Sequence, residues 1–225
     1  MPTMISGGRL HVLYLLHGNG GSYREWSQFS GIVGLVPADW MLVMPEGESS
    51  YWMNSATVAK DRYEDFITRD LIADAERELP QGHVDRAIAG NSMGGFGAIV
   101  LAMKHPGLYR FAGAMSPPVD YPERGFSVRR WGQSMAIRSI FGADGSAARK
   151  ADDPFVLARM ADAKSMPYLW ISAGDTEPLL PVVREFDTAL TRSGIAHEFY
   201  VERGGHDWRE WGGALPGLVK AMEAR

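Results

Sequence analysis

Short runs of apolar residues alternate along this chain with segments in which apolar positions recur every three or four residues. Strands that are apolar throughout are buried on both faces, and helical stripes between them supply the covering layers, so the pattern predicts a mostly parallel sheet with helices on both sides. The expected fold class is therefore α/β. Residues 11–16, 40–44, 87–89, 111–115, 168–172 and 198–201 read as strands. Helices are expected over 61–79, where Ile67, Leu71, Ala75 and Leu79 form one stripe, and over 96–104. A third covers 181–193, with Val182, Val183, Phe186 and Leu190 inward and Gly194 placed as a left-handed cap. In the tail, Trp208, Trp211, Leu215, Leu218 and Met222 share a face, and Pro216 is expected to kink or restart that helix.

Between residues 117 and 150 the alternation lapses into Pro, Gly, Arg and Ser with scattered apolar residues. Loops of this length inside a compact domain tend to be lids or binding loops, so this reads as a lid-like excursion within one domain spanning 1–225. A capping box, Ser22-x-x-Glu25, is expected to open the helix after the first strand.

Composition narrows the function classes. Twenty-three basic against 27 acidic side chains give a net charge of -4, which leaves no broad basic face for nucleic acid. No apolar run approaches the roughly 18 residues of a membrane span, and the start lacks a basic head followed by an apolar stretch, so no membrane partner and a cytoplasmic location are expected. The chain has no cysteine, which removes disulfides, thiolate metal ligands and a cysteine nucleophile.

One pentapeptide carries strong chemical content. Gly90-Asn91-Ser92-Met93-Gly94 fits Gly-x-Ser-x-Gly, and it stands between an apolar strand and a glycine- and alanine-rich helix, the context that places a serine on a sharp turn. A hydroxyl becomes a competent nucleophile only beside a base, and that base needs a carboxylate to orient it, in the chain order Ser, Asp or Glu, His. Of six histidines, only His197 and His206 follow Ser92 at a useful distance; His197 starts a strand, whereas His206 follows Gly204-Gly205 in a loop at the carboxyl end of the sheet. Asp175, just after a strand, is the expected acid, with Glu177 its nearest rival; Asp207 reads as a helix cap. Donors for an oxyanion are expected from the amide of Met93 and from Gly18 or Asn19 in His17-Gly18-Asn19-Gly20-Gly21. Trp52, with Asn54 and Trp208, is expected to line a substrate pocket.

Together, His17-Gly18-Asn19-Gly20-Gly21, Met44-Pro45-Glu46-Gly47, the stretch from Ala89 to Ala98 and Gly204-Gly205-His206-Asp207-Trp208 resemble the esterase family of α/β-hydrolases. That family includes tributyrin, feruloyl and acetyl xylan esterases, S-formylglutathione hydrolases and the antigen 85 mycolyltransferases. The resemblance implies an α/β-hydrolase fold and a triad of Ser92, Asp175 and His206 in a serine carboxylesterase that needs no metal or organic cofactor, while the small size and the short excursion in place of a large lid point to short-chain acyl or small aryl esters. A thioesterase or a feruloyl or acetyl xylan esterase is the alternative within the class, and a non-catalytic binding protein on the same fold is the alternative outside it. Family members begin with an extra β-hairpin, for which the ten residues before the first strand are too few, so a sheet trimmed to about six strands is expected. Its exposed edge would admit pairing into a homodimer.

Overall fold

The side chains of the first strand, β1 (Leu10–Leu16), divide between two interior layers: Val12, Tyr14 and Leu16 enter one, Leu13 and Leu15 the other, and all are buried. This division is the period of two that a pleated strand imposes when both of its faces are covered. The computed structural model describes residues 10–77, 79 and 84–225. Among these, β1 is joined by β2 (Trp40–Val43), β3 (Val84–Asn91), β4 (Phe111–Met115), β5 (Tyr168–Gly174) and β6 (His197–Glu202). Every neighbouring pair is parallel, in the order β2-β1-β3-β4-β5-β6. The chain thus builds outward from β1 in one direction and from β3 in the other. Crevices at the carboxyl ends of strands flanking such a reversal are where open α/β sheets bind ligands.

On one face, α1 (Glu25–Phe29) contributes Trp26, and α9 (Trp208–Glu223) contributes Trp211, Leu215, Leu218 and Met222, against Leu13, Leu15, Ala87, Ala89, Phe111 and Trp170. Close approach is built in: a Cβ on Gly113 of β4 would stand 2.8 Å from Leu218 Cδ1. The other face is covered first by α2 (Tyr63–Asp65), a π-helical turn (Phe66–Asp70) and α3 (Leu71–Ala75). Next come α4 (Met93–Lys104), α5 (Trp131–Phe141), α6 (Ala147–Ala151), α7 (Pro154–Met160) and α8 (Leu180–Ser193). Ile99, Val100, Phe186 and Leu190 are fully buried there, each worth roughly 1.5–3 kcal/mol of apolar transfer. No helix among the described residues is long and apolar enough to cross a membrane.

Three local expectations change. The helix expected over 61–79 starts at Tyr63 and ends at Ala75, and Glu76 just beyond it is held by Arg86 Nε and Nη2 at 2.6 and 2.7 Å and by the Tyr14 hydroxyl at 2.8 Å. Pro216 does not restart the helix, since α9 runs unbroken from Trp208 to Glu223; it lies on the exposed face, and the residue four positions earlier, Gly212, leaves room for the ring. The excursion at 117–150 contains two 3-10 turns, α5 and α6, and its Tyr121, Ile137, Ile140 and Phe141 are buried in the main core. Tyr121 stacks on Tyr51 with ring centroids 3.9 Å apart. Phe126, Val128, Trp131 and Met135 of the same segment are exposed.

Candidate active site

Ser92 occupies the single residue between the end of β3 and the start of α4, at φ 52° and ψ -118°. Such a conformation costs a residue with a Cβ of order 1–3 kcal/mol, and the surroundings hold it there. Its N–H donates to Met115 O at 2.8 Å and its carbonyl accepts from Phe96 N–H at 3.0 Å. The flanking glycines are demanded by contact: a Cβ on Gly90 would lie 2.2 Å from the Gly94 carbonyl carbon, and one on Gly94 would lie 2.0 Å from Leu16 O. The turn therefore packs against both α4 and the loop after β1, which lifts the hydroxyl into the crevice.

His206 stands in the loop between β6 and α9, and its Nε2 accepts from the Ser92 hydroxyl at 2.8 Å. Its Nδ1–H donates to Glu177 Oε2 at 2.7 Å. A carboxylate can only accept, so this bond fixes the proton on Nδ1 and leaves Nε2 free to act as a base. The second oxygen of Glu177 accepts from Gly174 N–H at 2.9 Å, and the side chain is fully withdrawn from solvent.

The acid at His206 is thus Glu177 and not Asp175, which is exposed and accepts from Gly204 N–H at 3.0 Å, stapling the ends of β5 and β6 together. The reason lies in the turn. Asp175 still continues the strand ladder through its N–H to Glu202 O, whereas Glu177 has folded back, its N–H reaching the Gly174 carbonyl, and its longer side chain spans the remaining gap.

The loop after β1 lies beside the serine: a Cβ on Gly18 would be 3.6 Å from Ser92 Cβ. Gly18 O accepts from His17 Nδ1–H at 2.9 Å and from Gly21 N–H at 3.0 Å. Because a trans peptide places C=O and the following N–H on opposite sides, pinning the Gly18 oxygen fixes the direction of the Asn19 N–H. The His17 ring is itself held, since Nε2 accepts from Gly47 N–H at 2.9 Å. Gly18 is removed from the candidate donors, because its own N–H is bonded to Glu25 Oε2 at 3.0 Å. Met93 opens α4, so its N–H has no acceptor within the helix.

Beside this loop an open groove of about 400 Å³ is lined by Asn19, Gly20, Gly21, Ser22, Glu25, Gln28, Phe29 and Trp208. Trp208 stands in its wall. Trp52 does not: it is fully buried, donates from its indole to His17 O at 3.3 Å and fills the space over Gly47 and Gly97. Asn54 also serves the framework, accepting from Asp65 N–H at 3.2 Å.

Two further acids have surroundings that the sequence pattern does not signal. Glu25 forms no capping box with Ser22; its carboxylate instead binds Gly18, Asn91 and Trp208. Glu210, in the first turn of α9, is 1% exposed; Ser116 Oγ donates to its Oε2 at 3.2 Å and its Oε1 has no partner. Burial, reinforced by the charge of Glu177, pushes its carboxyl up to about 8.

A family model described as "Putative esterase" matches residues 2–222. The chain is similar, at 25% identity over 221 residues, to a protein named acetyl esterase from Caldicellulosiruptor saccharolyticus, with 92% of this chain and 81% of that protein covered. It is 30% identical over 229 residues to esterase Rv1288 of Mycobacterium tuberculosis, covering 91% of this chain and 50% of that protein, so it spans half of that relative. Among solved structures, the fluorophosphonate-binding serine hydrolase F of Staphylococcus aureus shares the fold, with a TM-score of 0.79 at 22% identity over 97% of this chain and 85% of that one.

Proposed function

The chain belongs to this esterase family, and from that premise we propose that Ser92, His206 and Glu177 form the triad of a serine carboxylesterase acting on short-chain acyl or small aryl esters. The observation that carries the assignment is the unbroken relay from Ser92 Oγ to His206 Nε2 at 2.8 Å and from His206 Nδ1 to Glu177 Oε2 at 2.7 Å. His206 takes the hydroxyl proton as Ser92 attacks the ester carbonyl. Glu177 stabilises the imidazolium that forms without taking its proton. The amides of Met93 and Asn19 receive the oxyanion, each donor being worth on the order of 3 kcal/mol in the transition state. Collapse of the tetrahedral intermediate expels the alcohol, which leaves with the proton from His206. Water activated by the same imidazole then attacks the acyl-enzyme, and its collapse returns free acid and Ser92.

The preference for small esters rests on the groove beside the Asn19 loop, which is open and of modest volume. The test is steady-state hydrolysis of p-nitrophenyl acetate, butyrate, octanoate and ferulate, with Ser92→Ala alongside. Turnover that declines with acyl length and vanishes in the variant is expected. Turnover rising with chain length would overturn the substrate reading, and equal turnover by Ser92→Ala would overturn the mechanism.

A further inference from the structure

The Glu25 carboxylate gathers three N–H donors from three separate stretches of chain. Its Oε2 accepts from Gly18 N–H at 3.0 Å. Its Oε1 accepts from the Trp208 indole at 2.8 Å and from the Asn91 side-chain amide at 3.2 Å. Each of those stretches carries one part of the reaction centre: Gly18 precedes the Asn19 amide, Asn91 precedes Ser92, and Trp208 lies two residues past His206. The helix bearing Glu25 is anchored as well. Its next residue, Trp26, is fully buried, donates to Leu16 O at 3.1 Å and packs edge-on against Trp208 with centroids 5.2 Å apart.

We propose that Glu25 is a positioning residue for ester hydrolysis, holding the oxyanion loop, the nucleophile turn and the histidine loop in one register. The proposal rests on the assignment of Ser92 and His206 above. Only a carboxylate fits this junction, because donors face both of its oxygens. A glutamine has one acceptor oxygen, so its NH₂ must confront either Gly18 N–H or the pair from Asn91 and Trp208. Without the Glu25 bond, Gly18 keeps its carbonyl contacts but loses the restraint on its own N–H, and the Asn19 amide loses its fixed aim. Charge and position make opposite predictions. A negative carboxylate near a developing oxyanion is electrostatically unfavourable, so if charge were its only influence, neutralising it would speed the reaction; if its role is positioning, neutralising it slows the reaction.

The experiment compares wild type, Glu25→Gln and Glu25→Ala on p-nitrophenyl acetate, with phenylboronic acid as a tetrahedral-adduct probe. For Glu25→Gln, kcat is expected to fall about 10- to 100-fold with KM changed less than about threefold, and the boronate Ki to rise by a factor similar to the fall in kcat/KM. Trp208→Phe removes one donor and keeps an aromatic ring, and it remains available should the Glu25 variants fail to fold. It is expected to lower kcat about three- to tenfold beside Glu25 and less than twofold beside Gln at that position. Unchanged or faster turnover in Glu25→Gln, a loss confined to KM, or a boronate Ki that does not move would each overturn the proposal. Retention of activity by Ser92→Ala would instead overturn the assignment on which it rests, so the two failures are distinguishable.

Discussion

The Glu177 carboxylate reaches His206 Nδ1 at 2.7 Å while its other oxygen accepts from Gly174 N–H at 2.9 Å, so one buried side chain is fixed at both ends of the carboxyl group. A neutral amide there would present an NH₂ to one of those two donors. Glu177→Gln is therefore expected to disturb the tautomer of His206 and lower kcat by about 10³- to 10⁴-fold. Asp175→Asn, whose amide oxygen still accepts from the Gly204 N–H, is expected to keep kcat within about threefold and stability within about 0.5 kcal/mol. Parallel kinetics and thermal melts on the two variants check this, and the reverse ranking would return the acid role to Asp175.

The comparison of these two acids shows what the chain alone reveals. Chain order and strand ends place an acid after β5 without any structure, because both follow from hydrophobic runs. The choice between Asp175 and Glu177 turns on a fold-back of two residues, which periodicity does not encode. The same division holds for the aromatics. Trp208 and Trp52 both neighbour motif residues, but Gly47 and Gly97 leave a cavity that Trp52 fills, and that fit is visible only in three dimensions. Five strand segments match within a residue or two at each end, since buried runs are local signals; β3 extends beyond the apolar core because Asp85 and Arg86 belong to its ladder.

Ser92 provides a stability test separate from chemistry. Its φ of 52° and ψ of -118° suit glycine far better than any residue with a Cβ. Ser92→Ala and Ser92→Gly are both expected to be inactive, with the glycine variant more stable than the alanine variant by about 1–2 kcal/mol in urea unfolding. Equal stabilities would mean that the turn is relaxed and that no strain is stored at Ser92.

Lys104, at the end of the helix that begins after Ser92, bonds Glu64 Oε2 at 2.6 Å and Asp152 Oδ1 at 2.7 Å. His105 adds a contact to Glu64 at 2.8 Å, and both acids are buried. This cluster ties α4 to α2 and to the segment joining α6 and α7. Lys104→Met would leave two buried carboxyls without their cation, and a loss of about 3–5 kcal/mol is expected. Because the cluster lies away from the Ser92 relay, KM at permissive temperature should stay within about twofold. A melt within a degree or two of wild type would show that solvent already compensates these charges.

Glu210 makes stability depend on pH in a direction opposite to that of an ordinary paired acid. Its folded-state carboxyl is raised from 4.5 to about 8, chiefly by burial and then by Glu177, with Glu202 and Asp207 adding to the effect. Between those two values the folded protein holds a proton that the unfolded chain has released, so folding is progressively disfavoured as pH rises through this window. Its contribution is fully present below about pH 4.5, and the loss is complete once pH passes about 8. Glu210→Gln keeps the shape and the Ser116 contact without the titration. Its stability relative to wild type should therefore rise steadily from pH 4.5 to 8 and level off above, by a few kcal/mol in all, as read by urea unfolding at a series of pH values. A difference independent of pH would show that Glu210 ionises normally despite its burial. It would also mean that water reaches its unpartnered Oε1.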